Sequence, residues 1–260
     1  MEFEKENLLD RNYSLDFNKV INESWNLFTK VIGIGALAVL IYGFSSILLN
    51  QVTSTMTGLN LKNQVLLEDI QGSDDMQVII SKTQDFYSEN LVSISSNAGL
   101  VQLILILAFP LAGGFMLVCR EMETKGMANI STLFAGFKPQ YWSRLMALGL
   151  IYFFISKIAL LFFILPGIYI WAAACIACPL VMFHQMSGWE AFKTSISLVN
   201  KNWFSVFKLL FVASLFGLMG YLACGIGRVF TYPLVLVTIY IMYKHIIGFP
   251  NDQIEEIGHS

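Results

Sequence analysis

Apolar residues fall into six long blocks, near 31–49, 98–118, 145–165, 168–184, 205–224 and 229–247. Between them, apolar and polar positions alternate with helical spacing. A bilayer core of about 30 Å takes roughly 20 apolar residues as helix, so each block reads as a membrane span. Only Pro166-Gly167 separates the third block from the fourth. One helix over 145–184 would run about 60 Å, twice the membrane. Proline followed by glycine forms turns readily, so this pair predicts a tight helical hairpin turning at or just inside the outer interface.

The even-numbered blocks each contain a Pro-Leu pair: Pro110-Leu111, Pro179-Leu180 and Pro233-Leu234. A proline inside a helix removes one hydrogen bond and bends the axis. Ahead of each pair of blocks lies an amphipathic stretch ending near a tryptophan: Trp25, Trp142 and Trp203. In the first, Phe17, Val20, Ile21, Trp25 and Phe28 share a face behind Ser14 as N-cap. In the second, Ile130, Leu133, Phe134 and Phe137 repeat the pattern up to Pro139. In the third, Ser187 and Glu190 have capping-box spacing ahead of a stripe of Trp189, Phe192, Ile196, Val199 and Trp203. Such helices lie in the membrane surface with tryptophan at headgroup level. The pattern predicts an all-α integral membrane protein: one domain over 1–260, six transmembrane helices, and three pseudo-repeats of an interfacial helix plus a hairpin. Proline kinks fall in the even helices, and Pro166 and Gly167 make the turn.

Composition agrees. Of 260 residues 56% are hydrophobic and 13% charged, with a mean hydropathy of +0.63. Soluble chains carry about 25% charged residues, so the deficit excludes an ordinary soluble fold. A net charge of −2 gives no reason to expect a nucleic-acid partner. The hydrophilic start has no signal-peptide pattern, so the first span is expected to remain as an anchor. Lysine and arginine set orientation. Twelve lie in the N-terminal segment, the 119–144 and 185–208 connections and the tail, against Lys62, Lys82 and Arg228 on the opposite side. The expectation is a bacterial cytoplasmic membrane protein with both termini cytoplasmic. Segment 1–30 is then a cytoplasmic amphipathic arm and 248–260 a cytoplasmic tail. Segment 50–97 is an acidic extracytoplasmic loop with an amphipathic helix behind Ser73-Asp74-Asp75.

Candidate chemistry is sparse. Lys157 is the one charged residue deep within a span. Lysine at a helix centre costs about 2.5–3.5 kcal/mol on an insertion scale, and such residues are often functional. Ser156, Tyr152 or carbonyls freed at Pro110 or Pro179 are its candidate partners. It is satisfied by them and by snorkelling, or it contacts a lipid phosphate in a central cavity. Cys175-Ile-Ala-Cys178 has redox spacing, but it lies in a run of small residues suited to close helix packing. Cys119 and Cys224 are poorly placed to exchange electrons with it. His184, His245 and His259 lack ligand spacing, and no nucleotide-binding glycine loop or nucleophile elbow is present. No catalytic, cofactor-binding or metal-binding residue is assigned. Mitochondrial carriers place an acidic and a basic residue after the repeated proline. Here Leu-Ala-Gly, Leu-Val-Met and Leu-Val-Leu follow, which excludes that family.

The segment from Leu165-Pro-Gly-Ile-Tyr-Ile170 through Cys178-Pro-Leu180 to Ala191-Phe-Lys-Thr-Ser195 and Leu198-Val-Asn-Lys-Asn-Trp203 carries a resemblance. So do Gly114-Phe-Met-Leu, Gly126 and Leu133-Phe-Ala-Gly-Phe-Lys138. Together they resemble a broad group of uncharacterised bacterial six-span membrane proteins, which includes the membrane domain fused to some glycerophosphodiester phosphodiesterases. The likeness covers about 114–205 and its motifs are structural. The phosphodiesterase domain is absent, so no enzymatic residue carries over. A carotene-cleaving oxygenase name attached to some relatives requires histidine-bound iron, which three scattered histidines do not supply. The expected role is a non-enzymatic envelope scaffold or an accessory to lipid handling or transport. Its partner is the lipid bilayer, with bound lipid a candidate. The alternative is a small transporter or lipid-translocating protein with a cavity near Lys157. An intramembrane thiol redox enzyme ranks last.

Overall fold

A computed structural model describes residues 12–71, 73, 75–162, 164–222 and 227–249; Cys224 and most of the tail lie outside them. The described residues are almost wholly helical, with no strand among them. Among the described residues four helical stretches are long and apolar enough to cross a membrane, or five if one bent pair counts as a span. They are Phe17–Met56, Leu91–Lys125, Pro166–His184 and Gly227–Ile246, the bent pair being Gly188–Asn200 with Trp203–Met219. The chain divides into two compact units. One runs to Leu40 and resumes at Ala108; the other is Ile41–Leu107.

Helix α1 (Phe17–Met56) contains both the first amphipathic stretch and the first span without a break. Its 40 residues extend about 60 Å. The expected cap at Ser14 is replaced by Asp16, whose Oδ1 accepts from the Lys19 backbone N–H at 3.0 Å. No glycine or proline lies between Ser14 and Lys30, so nothing stops the helix at the predicted interface. In the Ile41–Leu107 unit, α2 (Leu59–Gln71), α3 (Met76–Glu89) and α4 (Leu91–Leu105) follow. The helix expected behind Ser73-Asp74-Asp75 is α3, capped by Asp75 through the Gln77 N–H at 2.9 Å. Asn97 on α4 donates to Asn50 Oδ1 on α1 at 2.9 Å.

The larger unit contains the three prolines, and each marks a break more than a kink. A 3-10 turn over Ile106–Ala108 precedes α5 (Pro110–Lys125), which Pro110 opens. After the short α6 (Ile130–Leu133) and a 3-10 turn (Phe134–Phe137), α7 (Pro139–Phe162) leads to α8 (Ile164–Ala173). Residues 174–176 form a turn before α9 (Ala177–His184), with Pro179 in its first turn. Next come α10 (Gly188–Asn200), α11 (Trp203–Met219), α12 (Gly227–Thr231) and α13 (Pro233–Ile246), the last opened by Pro233. Proline lacks an N–H and clashes with the carbonyl four residues earlier, but is tolerated in a first turn. Each even block therefore splits ahead of its proline.

Helix α7 and the α8–α9 pair form the predicted hairpin. Arg144 donates to the Gln185 carbonyl, and the Tyr152 hydroxyl donates to the Ala174 carbonyl. These links pair the first part of α7 with α8–α9 and the residue just after it, and the expected turn residues are helical. Pro166 and Gly167 belong to the first turn of α8.

The second and third amphipathic segments each fold back along the preceding even helix, with Ile130, Phe134, Phe137 and Trp189 left exposed. A Cβ on Gly136 would lie 2.0 Å from the Pro110 carbonyl oxygen, and one on Gly114 only 1.8 Å from that of Leu133. Residues 130–137 thus lie against α5 backbone to backbone. Along α10, Gly188 abuts α7 at Arg144 and Leu148, and Ser195 donates to the Ala173 carbonyl at 2.9 Å. Asn200 Oδ1 accepts from the Tyr169 hydroxyl at 2.8 Å. Helix α10 therefore runs antiparallel to α8–α9, and α11 leaves it at 105°. Of the expected stripe Phe192 and Val199 are buried, Ile196 and Trp203 are half-buried and Trp189 is exposed; the buried face of α10 is Ala191, Phe192, Ser195, Leu198 and Val199. The Ser187–Glu190 capping box forms as its spacing predicts.

Candidate functional site

Three features of the larger unit could carry function: the proline breaks, the surroundings of Lys157, and a charged cluster that the sequence did not announce.

The breaks are closed by packing. Pro110, Pro179 and Pro233 are buried, as are Leu111, Leu180 and Leu234. Pro110 lies under Gly136. Pro233 fills the space beside Gly35, where an added Cβ would lie 2.6 Å from its ring. Pro179 sits in an unbroken run of buried residues from Ala172 to Met182. Carbonyls exposed by the turn at 174–176 receive side chains: Ala173 accepts from Ser195, and Ala174 from Tyr152. The Ala174 carbonyl also accepts the Ala177 backbone N–H at 3.0 Å, so Ala173 is the carbonyl that depends on a side chain. Left unpaired it would cost about 1–3 kcal/mol, which the Ser195 hydroxyl offsets.

Cys175 lies in that turn and Cys178 in α9, both buried. The turn interrupts the helix between them. Cys119 is buried on α5.

Lys157 is half-buried on α7, five residues beyond Tyr152 toward the hairpin turn. Its ammonium lies 5.6 Å from the Phe153 ring centroid, a weak cation–π contact. Tyr152, expected as a partner, spends its hydroxyl on Ala174; the Ser156 side chain lies outside the described residues. Phe154 and Ile158, on either side of Lys157 in sequence, are exposed. Among the described residues no hydrogen bond joins Lys157 to a carbonyl at the Pro110 or Pro179 break.

The tryptophans are dispersed. Trp25 on α1 is 48% exposed, with Phe28 and Phe216 rings 5.5 and 6.2 Å away. Trp142 occupies the first turn of α7 and is exposed. Trp203 opens α11, donates to the Tyr169 carbonyl at 3.4 Å and stacks on Tyr169 and Phe207 at 5.9 and 5.0 Å.

The charged cluster joins α1, α5 and α13. Lys244 pairs with Glu123 and lies 3.5 Å from Glu23. His245 Nε2 sits 3.1 Å from Glu23 Oε2. The Tyr240 hydroxyl donates to Glu123 Oε2 at 2.7 Å. The Arg120 guanidinium lies 3.6 Å over the Phe249 ring, which packs against Phe183, Tyr240 and Tyr243. Glu23, Glu123 and Lys244 come from three segments each predicted to be cytoplasmic, a hundred or more residues apart in sequence. Only that shared side hinted at the cluster. Among the described residues no three His, Cys, Asp or Glu side chains converge as a metal ion requires.

Near the N-terminus, the Tyr13 hydroxyl donates to the Leu198 carbonyl at 2.9 Å. Burial pushes its phenol up to about 12. In the Ile41–Leu107 unit a groove of about 440 Å³ lies between α2 and α3. Lys62 there donates to Asn90 at 2.8 Å and Lys82 to the Asp69 carbonyl at 3.0 Å.

No family model, curated protein or solved structure matches the chain. The apolar helices define it as a helical membrane protein at the level of class.

Proposed function

We propose that this chain is a non-enzymatic scaffold of the bacterial cytoplasmic membrane, or an accessory to lipid handling or transport. Both termini are cytoplasmic. In this reading it has six spans: α1, α4–α5, α7, α8–α9, α11 and α12–α13. They make three related units, each with its second span broken at a Pro-Leu pair. The resemblance to the six-span group that includes phosphodiesterase-linked membrane domains supports this view. The meeting of Glu23, Glu123 and Lys244, which come from three lysine- and arginine-bearing segments, supports it as well.

The observation that carries the scaffold reading is the closure of the breaks. Transporters place broken helices around a substrate site, where unwound backbone faces ligand. Here Gly136, Gly35, Ser195 and Tyr152 occupy those places. The purified chain in phosphatidylglycerol-containing vesicles is the test, with fluorescent phosphatidylglycerol as the reporter of transbilayer exchange. Exchange no faster than in empty vesicles is expected. Acceleration that disappears in Lys157→Met would establish the lipid-translocating alternative.

A further inference from the structure

Beyond α11 the chain reverses into α12 and α13, and main chains meet at the reversal. A Cβ on Gly220 would lie 2.4 Å from the Arg228 backbone nitrogen. The Thr231 hydroxyl donates to the Gly217 carbonyl at 2.9 Å. These contacts fix the Arg228 backbone, and two tyrosines hold its side chain. The guanidinium carbon lies 5.0 Å from the Tyr221 ring centroid and 5.4 Å from that of Tyr232, within cation–π range. One N–H donates to the Tyr221 hydroxyl, and a guanidinium has further donors to spend. Arg228 is exposed, and no carboxylate pairs with it among the described residues. No Asp or Glu occurs between Glu190 and Asp252, so α11, α12 and α13 contain no acidic partner. Met219 and Phe230, within two residues of Tyr221 and Arg228, are exposed as well.

We propose that Arg228, held by Tyr221 and Tyr232, binds the phosphate of a membrane lipid at the outer interface. The site deepens the lipid-handling reading above and rests on it. An anion is the complement this group lacks. The guanidinium fork matches two phosphate oxygens, and the aromatic contacts orient it before a ligand arrives. Tyrosines of membrane proteins collect at headgroup level, where lipid supplies such an anion, and Met219 and Phe230 offer its acyl chains a surface. Free phosphate carries the same charge without the chains. The charge bias that sets the predicted orientation gains nothing from an arginine on this side, so orientation does not account for Arg228.

The full chain is first reconstituted in phosphatidylglycerol–phosphatidylethanolamine vesicles and floated. A chain that fails to float overturns the membrane reading, and the site with it. Native mass spectrometry then titrates the purified chain with dioleoylphosphatidylglycerol, uncharged dioleoylglycerol and inorganic phosphate. One phosphatidylglycerol is expected to bind ahead of the rest. Arg228→Gln should weaken that first step about tenfold, the scale of one lost charge-assisted hydrogen bond. Arg228→Lys should recover only part of it, because an ammonium lacks the fork. Lys208→Gln, which removes an exposed cation nearer the start of α11, should change nothing. Dioleoylglycerol should bind the wild type and Arg228→Gln alike. In a chain that floats, first-step binding indifferent to Arg228→Gln, or weakened as much by Lys208→Gln, overturns the site alone. If Arg228→Gln unfolds the chain, Arg228→Lys carries the test, and full binding there overturns the fork. Displacement of the lipid by millimolar inorganic phosphate overturns the lipid assignment in favour of the free anion.

Discussion

Glycines separate places where helices touch backbone to backbone from places where they do not. An added methyl at Gly114 would fall 1.8 Å from the Leu133 oxygen, whereas at Gly33 it meets nothing within 4 Å. Gly114→Ala is expected to cost roughly 3 kcal/mol or to prevent folding, because a main-chain carbonyl cannot swing aside as a side chain can. Gly33→Ala should be neutral or gain up to about 1 kcal/mol, as alanine usually does in an open helix. Thermal unfolding of both in the same detergent compares them directly. Tyr13 supplies a pH test. Its phenol is raised to about 12 by burial, so the folded chain holds that proton more tightly than the unfolded one, whose phenol titrates near 10. Its contribution is intact below pH 10 and is lost as pH rises through about 12. Tyr13→Phe should flatten the alkaline loss of stability over that window, seen in denaturation midpoints at stepped pH.

At the level of elements, local sequence signals were legible where local chemistry decides the outcome. The Ser187–Glu190 box and the Asp75 cap are written into three or four consecutive residues. Ser187→Ala should therefore cost about 1 kcal/mol. The fate of the amphipathic segments was not legible, because an apolar stripe looks the same whether lipid or protein covers it. What distinguished them was glycine on both sides of a contact, Gly114 with Gly136, and its meaning depends on a pairing the sequence does not state. The continuity of α1 escaped for a related reason. A periodicity that shifts from amphipathic to wholly apolar suggests two helices, yet no residue there terminates one. The prolines were read as kinks within continuous helices, whereas each stands just behind a break, because the ring clashes with the carbonyl four residues earlier.

Across the whole molecule, the charged cluster tests whether residues far apart in the chain act together. Lys244→Met should lower stability by about 1 kcal/mol or less, since the pair is partly exposed to water. A double-mutant cycle with Glu123→Gln should show coupling of a few tenths to about 1 kcal/mol that shrinks as salt is raised. Topology is tested by single cysteines in a chain lacking its own. Asp85→Cys should react with a membrane-impermeant maleimide on intact spheroplasts, and Asp252→Cys only after lysis. The charge imbalance is what predicts this orientation. The cluster itself was not legible, because Glu23, Glu123 and Lys244 share no motif.

The two hydroxyls at the 174–176 turn also bear on how the chain is made. Tyr152 is synthesised before the carbonyl it serves, but Ser195 arrives 22 residues after Ala173. Until then the broken helix offers the bilayer a bare carbonyl, which hydrocarbon penalises. The hairpin is thus expected to wait beside the insertion machinery until α10 emerges. A nascent chain arrested before Ser195 should remain cross-linkable to that machinery, and one arrested well beyond it should be released.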